Sequence, residues 1–223
     1  MENQTSKKQS VRIQTSLLNG VEKKALLWLA QRQPKWADSD MLTFIGFIGA
    51  VVIAAGYILS NYNVHFLWLA SLGFIINWYG DSLDGTLARY RKQQRPIYGF
   101  YLDHTIDAIN EAFMFMGVGL SPFMRFDLSC VLLVVYLMLT LNVSMNAHLK
   151  SEFRLTYAKL GPTEFRLICI IANALLVFVK PFREWGLDII GLVILLVLVL
   201  IYIITIIQDA RYYAKIDPKH KDD

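Results

Sequence analysis

Four aspartates lie between long apolar runs of this chain, and they constrain its fold and chemistry more than any other feature. Residues 80–110 read GDSLDGTLARYRKQQRPIYGFYLDHTIDAIN. Asp81 and Asp84 are three residues apart, Asp103 and Asp107 four. On helices each pair shares one face. A carboxylate inside a bilayer is costly unless it is paired or neutralised. Four converging carboxylates repel one another and require a counter-charge. Nearby arginines can supply one; a divalent cation does so better, and all-oxygen ligands suit Mg²⁺ or Mn²⁺.

The pattern extends beyond the acids. Asp81, Asp84, Gly85 and Ala88 fall at i, i+3, i+4 and i+7, and Gly99, Asp103 and Asp107 at i, i+4 and i+8. Each helical face therefore combines oxygen ligands with residues lacking bulk, which lets a ligand or another backbone approach closely. The run D-x2-D-G-x2-A-R-x9-G-x3-D-x3-D resembles the signature of the CDP-alcohol phosphotransferases. Its fixed positions are Asp81, Asp84, Gly85, Ala88, Arg89, Gly99, Asp103 and Asp107.

That resemblance implies an all-α, six-helix membrane architecture. It also implies an enzyme that moves a substituted phosphate from a CDP-alcohol donor to an acceptor alcohol, soluble or lipid, with release of CMP. Two divalent ions, Mg²⁺ or Mn²⁺, would neutralise the diphosphate and the leaving phosphate. Asp81, Asp84 and Asp103 are then the primary metal ligands. Asp107 is a general base that also touches metal. Asp84, Gly85, Ala88, Arg89 and Gly99 form the CDP site, Arg89 being equally readable as a cation snorkelling to the interface. His104 is a second candidate base, because the run Asp103-His104-x-x-Asp107 is similar to that of the choline and ethanolamine branch. Family members are commonly homodimers. Where the family often has Pro-Asn before a threonine, this chain has Ser39-Asp40, which leaves open whether that segment touches nucleotide.

The chain has 223 residues, 55% of them hydrophobic, too apolar for an ordinary soluble domain. Six segments read as spans: 41–59, 64–90, 96–119, 128–149, 162–179 and 187–208. A cytoplasmic segment (1–40) would precede the membrane domain (41–210), and a charged, frayed tail (211–223) would follow it. The first forty residues lack a continuous apolar core, so no cleavable signal peptide is expected. With both termini inside, 19 of the 22 Lys and Arg fall on the cytoplasmic side, leaving Arg125, Lys180 and Arg183 outside. This bias favours cytoplasmic termini and accounts for the net charge of +4 without nucleic-acid binding. At about 1.5 Å rise per residue, Asp81 lies roughly 15 Å from Arg91, and Asp103 and Asp107 roughly 10 and 16 Å from Pro96. The two acid pairs should thus meet at one depth, open toward the cytoplasm.

Residues 1–15 read as a polar, mobile lead. Residues 17–32 read as an amphipathic helix in the inner interface, with Leu18, Val21, Ala25, Trp28 and Leu29 on its apolar side and Glu22, Lys23, Gln31 and Arg32 off it. Ser39 or Asp40 is the expected cap of the first span. The inner loop 150–166 is the candidate acceptor site. Lys150, Arg154 and Arg166 would hold a phosphate, and Glu164 a cationic group or hydroxyl, although the inside bias alone also places basic residues there. Asn110 and Glu111, one turn past Asp107, are candidates to support the acids. Cys130 and Cys169 lie near opposite membrane faces and should not pair. A cation transporter also needs intramembrane carboxylates. It needs access from both faces, however, and the outer half of this chain offers no matching acids.

Overall fold

The computed structural model describes residues 11–13, 18–150, 152–154 and 161–218. Among these the protein is almost wholly helical: α1 (Asn19–Arg32), α2 (Ser39–Leu59), α3 (Leu67–Tyr90), α4 (Pro96–Gly119), α5 (Phe126–Lys150), α6 (Pro162–Phe178) and α7 (Phe182–Ile216). A 3-10 turn at Val64–Phe66 leads into α3. Strand β1 (Val11–Ile13) pairs in parallel with β2 (Glu152–Arg154), Arg12 facing Phe153. This small ribbon ties part of the expected mobile lead to the segment that follows α5.

Helices α2 to α7 occupy all six segments read as spans. Three of them are long and apolar enough to cross a membrane by length and composition: Ser39–Leu59, Phe126–Asn146 and Phe182–Ile216. Helices α3 and α4 have 24 residues each but carry the acids, and α6 has 17. At about 1.5 Å per residue, 24 residues reach roughly 36 Å, enough for the hydrocarbon core.

Glycine sets the central seam. A Cβ on Gly73 of α3 would lie 2.6 Å from the Ile53 nitrogen of α2, and one on Gly117 of α4 would lie 2.6 Å from the Ala54 Cα. Both values are below van der Waals contact, so only hydrogen fits between these backbones. Gly46, Gly49 and Gly80 close the same seam nearer the acids. Around it Ile53, Tyr57, Leu67, Ala70, Phe74 and Leu176 are buried. The Tyr57 hydroxyl donates to Asn173 Oδ1 (2.9 Å) and Asn173 Nδ2 to Ser71 Oγ (3.1 Å), fixing α6 to α2 and α3.

The helices alternate in direction. At one end the Asn61 amide donates to the Leu120 carbonyl and the Arg125 N–H to Asp188. At the other, the Arg91 guanidinium gathers the carbonyls of Gln33, Pro34 and Ala37, and Arg95 pairs with Asp40. Lys92, just past α3, takes a positive φ of 56° to turn the chain toward α4.

Two expectations are corrected, and the packing of α1 is now defined. The cap of α2 is Asp38, whose Oδ1 accepts from the Met41 N–H (2.8 Å). Ser39 is already helical, and its hydroxyl donates to the Asp84 carbonyl (3.1 Å). In α1 the face turned to the protein is Glu22, Leu26 and Ala30, while Val21 and Trp28 are exposed. Glu22, off the apolar side of α1, accepts from Trp78 Nε1 (3.1 Å) and from the Thr163 hydroxyl, so a carboxylate faces the protein there. Finally, α7 runs on to Ile216, through residues expected to fray. The two cysteines are free thiols.

Candidate active site

The site forms where α3 and α4 face each other at the end bearing Arg91 and Arg95. Asp81, Asp103 and Asp107 each present a carboxylate oxygen, and these oxygens lie within 4.8 Å of one another. The depth worked out from helical rise is therefore met: two acids of α4 reach one of α3. Asp84, one turn on from Asp81, is buried beside the trio but engaged otherwise. Its Oδ2 accepts from the Thr43 hydroxyl of α2 (2.6 Å), and its Oδ1 from the Gly85 N–H.

The positive charge at this site comes from α6. Arg166 Nη2 meets Asp81 Oδ2 at 2.5 Å, and its Nε donates to Asn77 Oδ1 (2.9 Å). Asn77 is fully buried and donates in turn to the Gly46 carbonyl (2.9 Å). One arginine cannot balance three carboxylates. Three oxygen donors within reach of one point suit a hard divalent cation, so the residues fit the metal that the acids suggest. Asn110 Oδ1 and Glu111 Oε2 are buried without a hydrogen-bond partner among the described residues. Glu111 stands within electrostatic reach of Asp81 and Asp107, as does the Tyr136 phenol.

The other expected residues are distributed around this centre. Ala88 lines a cavity of about 280 Å³ with Leu87, Asp38, Ser39, Asp40, Arg91, Gln93 and Arg95. Arg89 donates to the Thr86 hydroxyl (3.1 Å), and its guanidinium lies 3.3 Å from where a Gly85 Cβ would stand. Gly99 has nothing within 4 Å of a would-be Cβ among the described residues. The His104 ring packs on Phe100 with centroids 4.0 Å apart, its Nδ1 2.9 Å from the Phe100 carbonyl.

Of the acceptor candidates, Arg166 reaches the acids. Glu164 is buried at the start of α6: one oxygen accepts from the Gly161 N–H (3.0 Å), the other from the Leu18 N–H (2.8 Å). It caps α6 and tethers α1. Lys150 ends α5 and Arg154 lies in β2; their side chains fall outside the described residues. Four further residues take part that the signature does not mark: Thr43, Asn77, Arg91 and Arg95. Asn77 had a signal, standing four residues before Asp81 on the same face. Thr43 had only its place one turn after Ser39.

The sequence profile described as CDP-alcohol phosphatidyltransferase matches residues 36–208. The chain is 38% identical to a phosphatidylinositol phosphate synthase of Cutibacterium acnes over 81 residues, 36% of this chain and 37% of that one. It is 32% identical to archaetidylinositol phosphate synthases of Pyrococcus horikoshii, over 95 residues (43% and 47%), and of Methanothermobacter thermautotrophicus, over 85 residues (38% and 40%). The matched stretch thus spans less than half the length of each relative. The profile, by contrast, covers most of the chain and contains the trio of acids, Asp84 and Arg166 alike, so the protein belongs to the CDP-alcohol phosphatidyltransferase family.

Proposed function

We propose that this protein transfers a substituted phosphate from a CDP-alcohol to an acceptor hydroxyl, releasing CMP, in phospholipid biosynthesis. The observation that carries the reading is the convergence of Asp81, Asp103 and Asp107 within 4.8 Å, framed by the family's glycines and alanine. Bound Mg²⁺ or Mn²⁺, two ions by family resemblance, would neutralise the diphosphate and stabilise the departing phosphate. Asp81, Asp103 and Asp107 would hold these ions, with Asp84 at their edge. Thr43 and the Gly85 N–H orient Asp84 in the meantime.

The cavity beside Ala88 has the size and polarity for a nucleoside. Arg91 and Arg95 make its rim cationic, as a diphosphate requires. Asp107 takes the proton of the acceptor hydroxyl in this reading. Its rival His104 is turned toward its own helix, on Phe100 and the Phe100 carbonyl, which leaves Asp107 better aimed at the cluster.

The relatives' names join an inositol phosphate to a lipid. For this chain they favour a lipid-linked CDP donor and a soluble, phosphorylated polyol acceptor, whose anionic group Arg166 would meet. The preference for cytoplasmic termini follows from the inside bias of Lys and Arg. It turns the site toward the compartment that holds nucleotides. Six crossings and a homodimer complete the arrangement that family resemblance suggests.

The test is CMP release from membranes or purified protein, over a panel of CDP-alcohols and acceptors, with products identified by mass. Release should require Mg²⁺ or Mn²⁺ and stop with EDTA. Cation flux into proteoliposomes, without CMP release from any donor, would replace this reading with transport.

A further inference from the structure

We propose that Arg166 and a divalent cation compete for Asp81, so that cation binding frees the Arg166 guanidinium to receive an anionic acceptor. This rests on the metal-dependent reading above and adds an order to it: cation first, acceptor second.

Arg166 is held in a defined pose. Its Nη2 is on Asp81 (2.5 Å) and its Nε on Asn77 (2.9 Å), and Asn77 is itself anchored on the Gly46 carbonyl. The pair is mostly screened from solvent, the side chains of Arg166 and Asp81 being 13% and 21% exposed. Asp81 is also one of the three acids whose oxygens converge. A cation drawn to that trio brings two positive charges next to a guanidinium on the same carboxylate. In a partly desolvated site such like charges repel strongly, so each weakens the hold of the other. Linkage makes the effect reciprocal: whatever Arg166 costs the cation, the cation costs the Arg166–Asp81 bond.

The released group is not without means. Arg166 Nη1 is already buried with no hydrogen-bond partner among the described residues. A guanidinium leaving Asp81 would present a fork of donors of the geometry that phosphate oxygens accept. The stem is anchored in the first turns of α6, whose start is fixed by Glu164 and Thr163 to α1. The backbone can therefore stay while the side chain turns.

The experiment measures Mn²⁺ binding to the purified full-length protein, stripped with EDTA and dialysed, from the paramagnetic signal of the free ion. Arg166→Gln should bind Mn²⁺ at least tenfold more tightly than wild type. Arg166→Lys keeps the charge but cannot hold Asn77 and Asp81 at once, and should fall between the two. It also keeps the test alive should the glutamine variant fold poorly.

A second titration uses inorganic phosphate. Wild type should bind phosphate more tightly with Mn²⁺ than with EDTA, and most of that gain should vanish in Arg166→Gln. Several results overturn the inference. One is Mn²⁺ affinity unchanged or weaker in Arg166→Gln, which makes Arg166 a fixed support of Asp81. Another is a tighter glutamine variant beside a lysine variant equal to wild type, which reduces the effect to net charge. A phosphate gain independent of Arg166 is the third. If wild type binds no Mn²⁺ at millimolar concentration, the metal-dependent reading falls and this inference with it; binding by wild type with no difference among variants removes the inference alone.

Discussion

Gly99→Ala separates what the signature does for the fold from what it does for a ligand. Gly99 lies in the first turn of α4, its N–H bonded to the Arg95 carbonyl (2.7 Å). A methyl group there meets nothing within 4 Å among the described residues. Helical glycine is worse than alanine by roughly 0.5–1 kcal/mol, so the variant should be slightly more stable. For a chain of this size 1 kcal/mol moves Tm by about 2–4 °C, and a rise of about 1–4 °C is expected in detergent. Gly73→Ala is the contrast. Its methyl would stand 2.6 Å from the Ile53 nitrogen, and overpacking of this kind costs roughly 1–3 kcal/mol. Its Tm should fall by about 2–12 °C on the same scale. If the space at Gly99 is kept for the donor, Gly99→Ala should also weaken CMP binding by calorimetry tenfold or more. A stabilised Gly99→Ala protein with unchanged CMP affinity would refute the assignment of this glycine to the donor site. A destabilised one would refute the packing argument itself.

Asp81→Asn, Asp103→Asn and Asp107→Asn should each reduce CMP release to near background while the protein still inserts, because asparagine keeps the size and loses the charge; near-wild-type rates in any two would end the metal-dependent reading. Asp84→Asn should do the same, and Thr43→Val should mimic it more weakly, by about tenfold to a hundredfold, since a hydrogen bond to a charged group is worth roughly 1.5–3 kcal/mol and each 1.36 kcal/mol is a factor of about ten in rate. Ala88→Leu should fill part of the 280 Å³ cavity and weaken CDP affinity far more than folded yield; equal affinity would mean that the cavity is not the nucleoside site. His104→Ala should keep a substantial rate where Asp107→Asn does not, and a His104→Ala enzyme below about 1% of wild type, with normal metal and CMP binding, would make His104 the base, general acid–base help being worth about 10²–10⁴-fold.

The sequence shows the helices and the acids plainly because both obey local rules. Apolar runs fix α2, α5 and α7, and Pro96 and Pro162 mark the starts of α4 and α6. The i, i+3 and i+4 spacings put the aspartates on faces that do meet. Contacts between distant segments were harder to see. Glu22 lies off the apolar side of α1 and is nevertheless buried, and Trp78 and Thr163, 56 and 141 residues away, make that burial tolerable. The cap of α2 was misplaced by one or two residues because Asp38, Ser39 and Asp40 are all competent caps. Backbone direction chose Asp38 and left the neighbouring side chains for Asp84 and Arg95. In α7, a polar tail suggested fraying, yet Asp209 and Tyr213 both bond to Asn146 of α5 and hold the helix on course.

The placement of Arg166 shows why the signature alone does not make the site. It supplies carboxylates from two helices joined by a short turn, and three like charges within 4.8 Å would drive α3 and α4 apart. At that separation and an effective dielectric near 20, each charged pair repels by about 3–4 kcal/mol. Glycine contacts hold α2 to α3 and α4 to α2, so α3 and α4 are clamped through a third helix rather than by their own attraction. The arginine that offsets part of the repulsion comes from α6, 85 residues beyond Asp81. Its position depends on the Asn173 contacts inside the bundle and on Glu164 and Thr163, which meet α1 and the residue before it. Loosening α1 should therefore reach the acids through α6. Glu22→Gln keeps the size of the residue but weakens its bonds to Trp78 and Thr163. It should alter Mn²⁺ affinity in the direction of Arg166→Gln, by a smaller factor, although Glu22 touches none of the acids. No change in Mn²⁺ affinity, with a lowered Tm, would show that α1 merely adds stability and that α6 places Arg166 unaided.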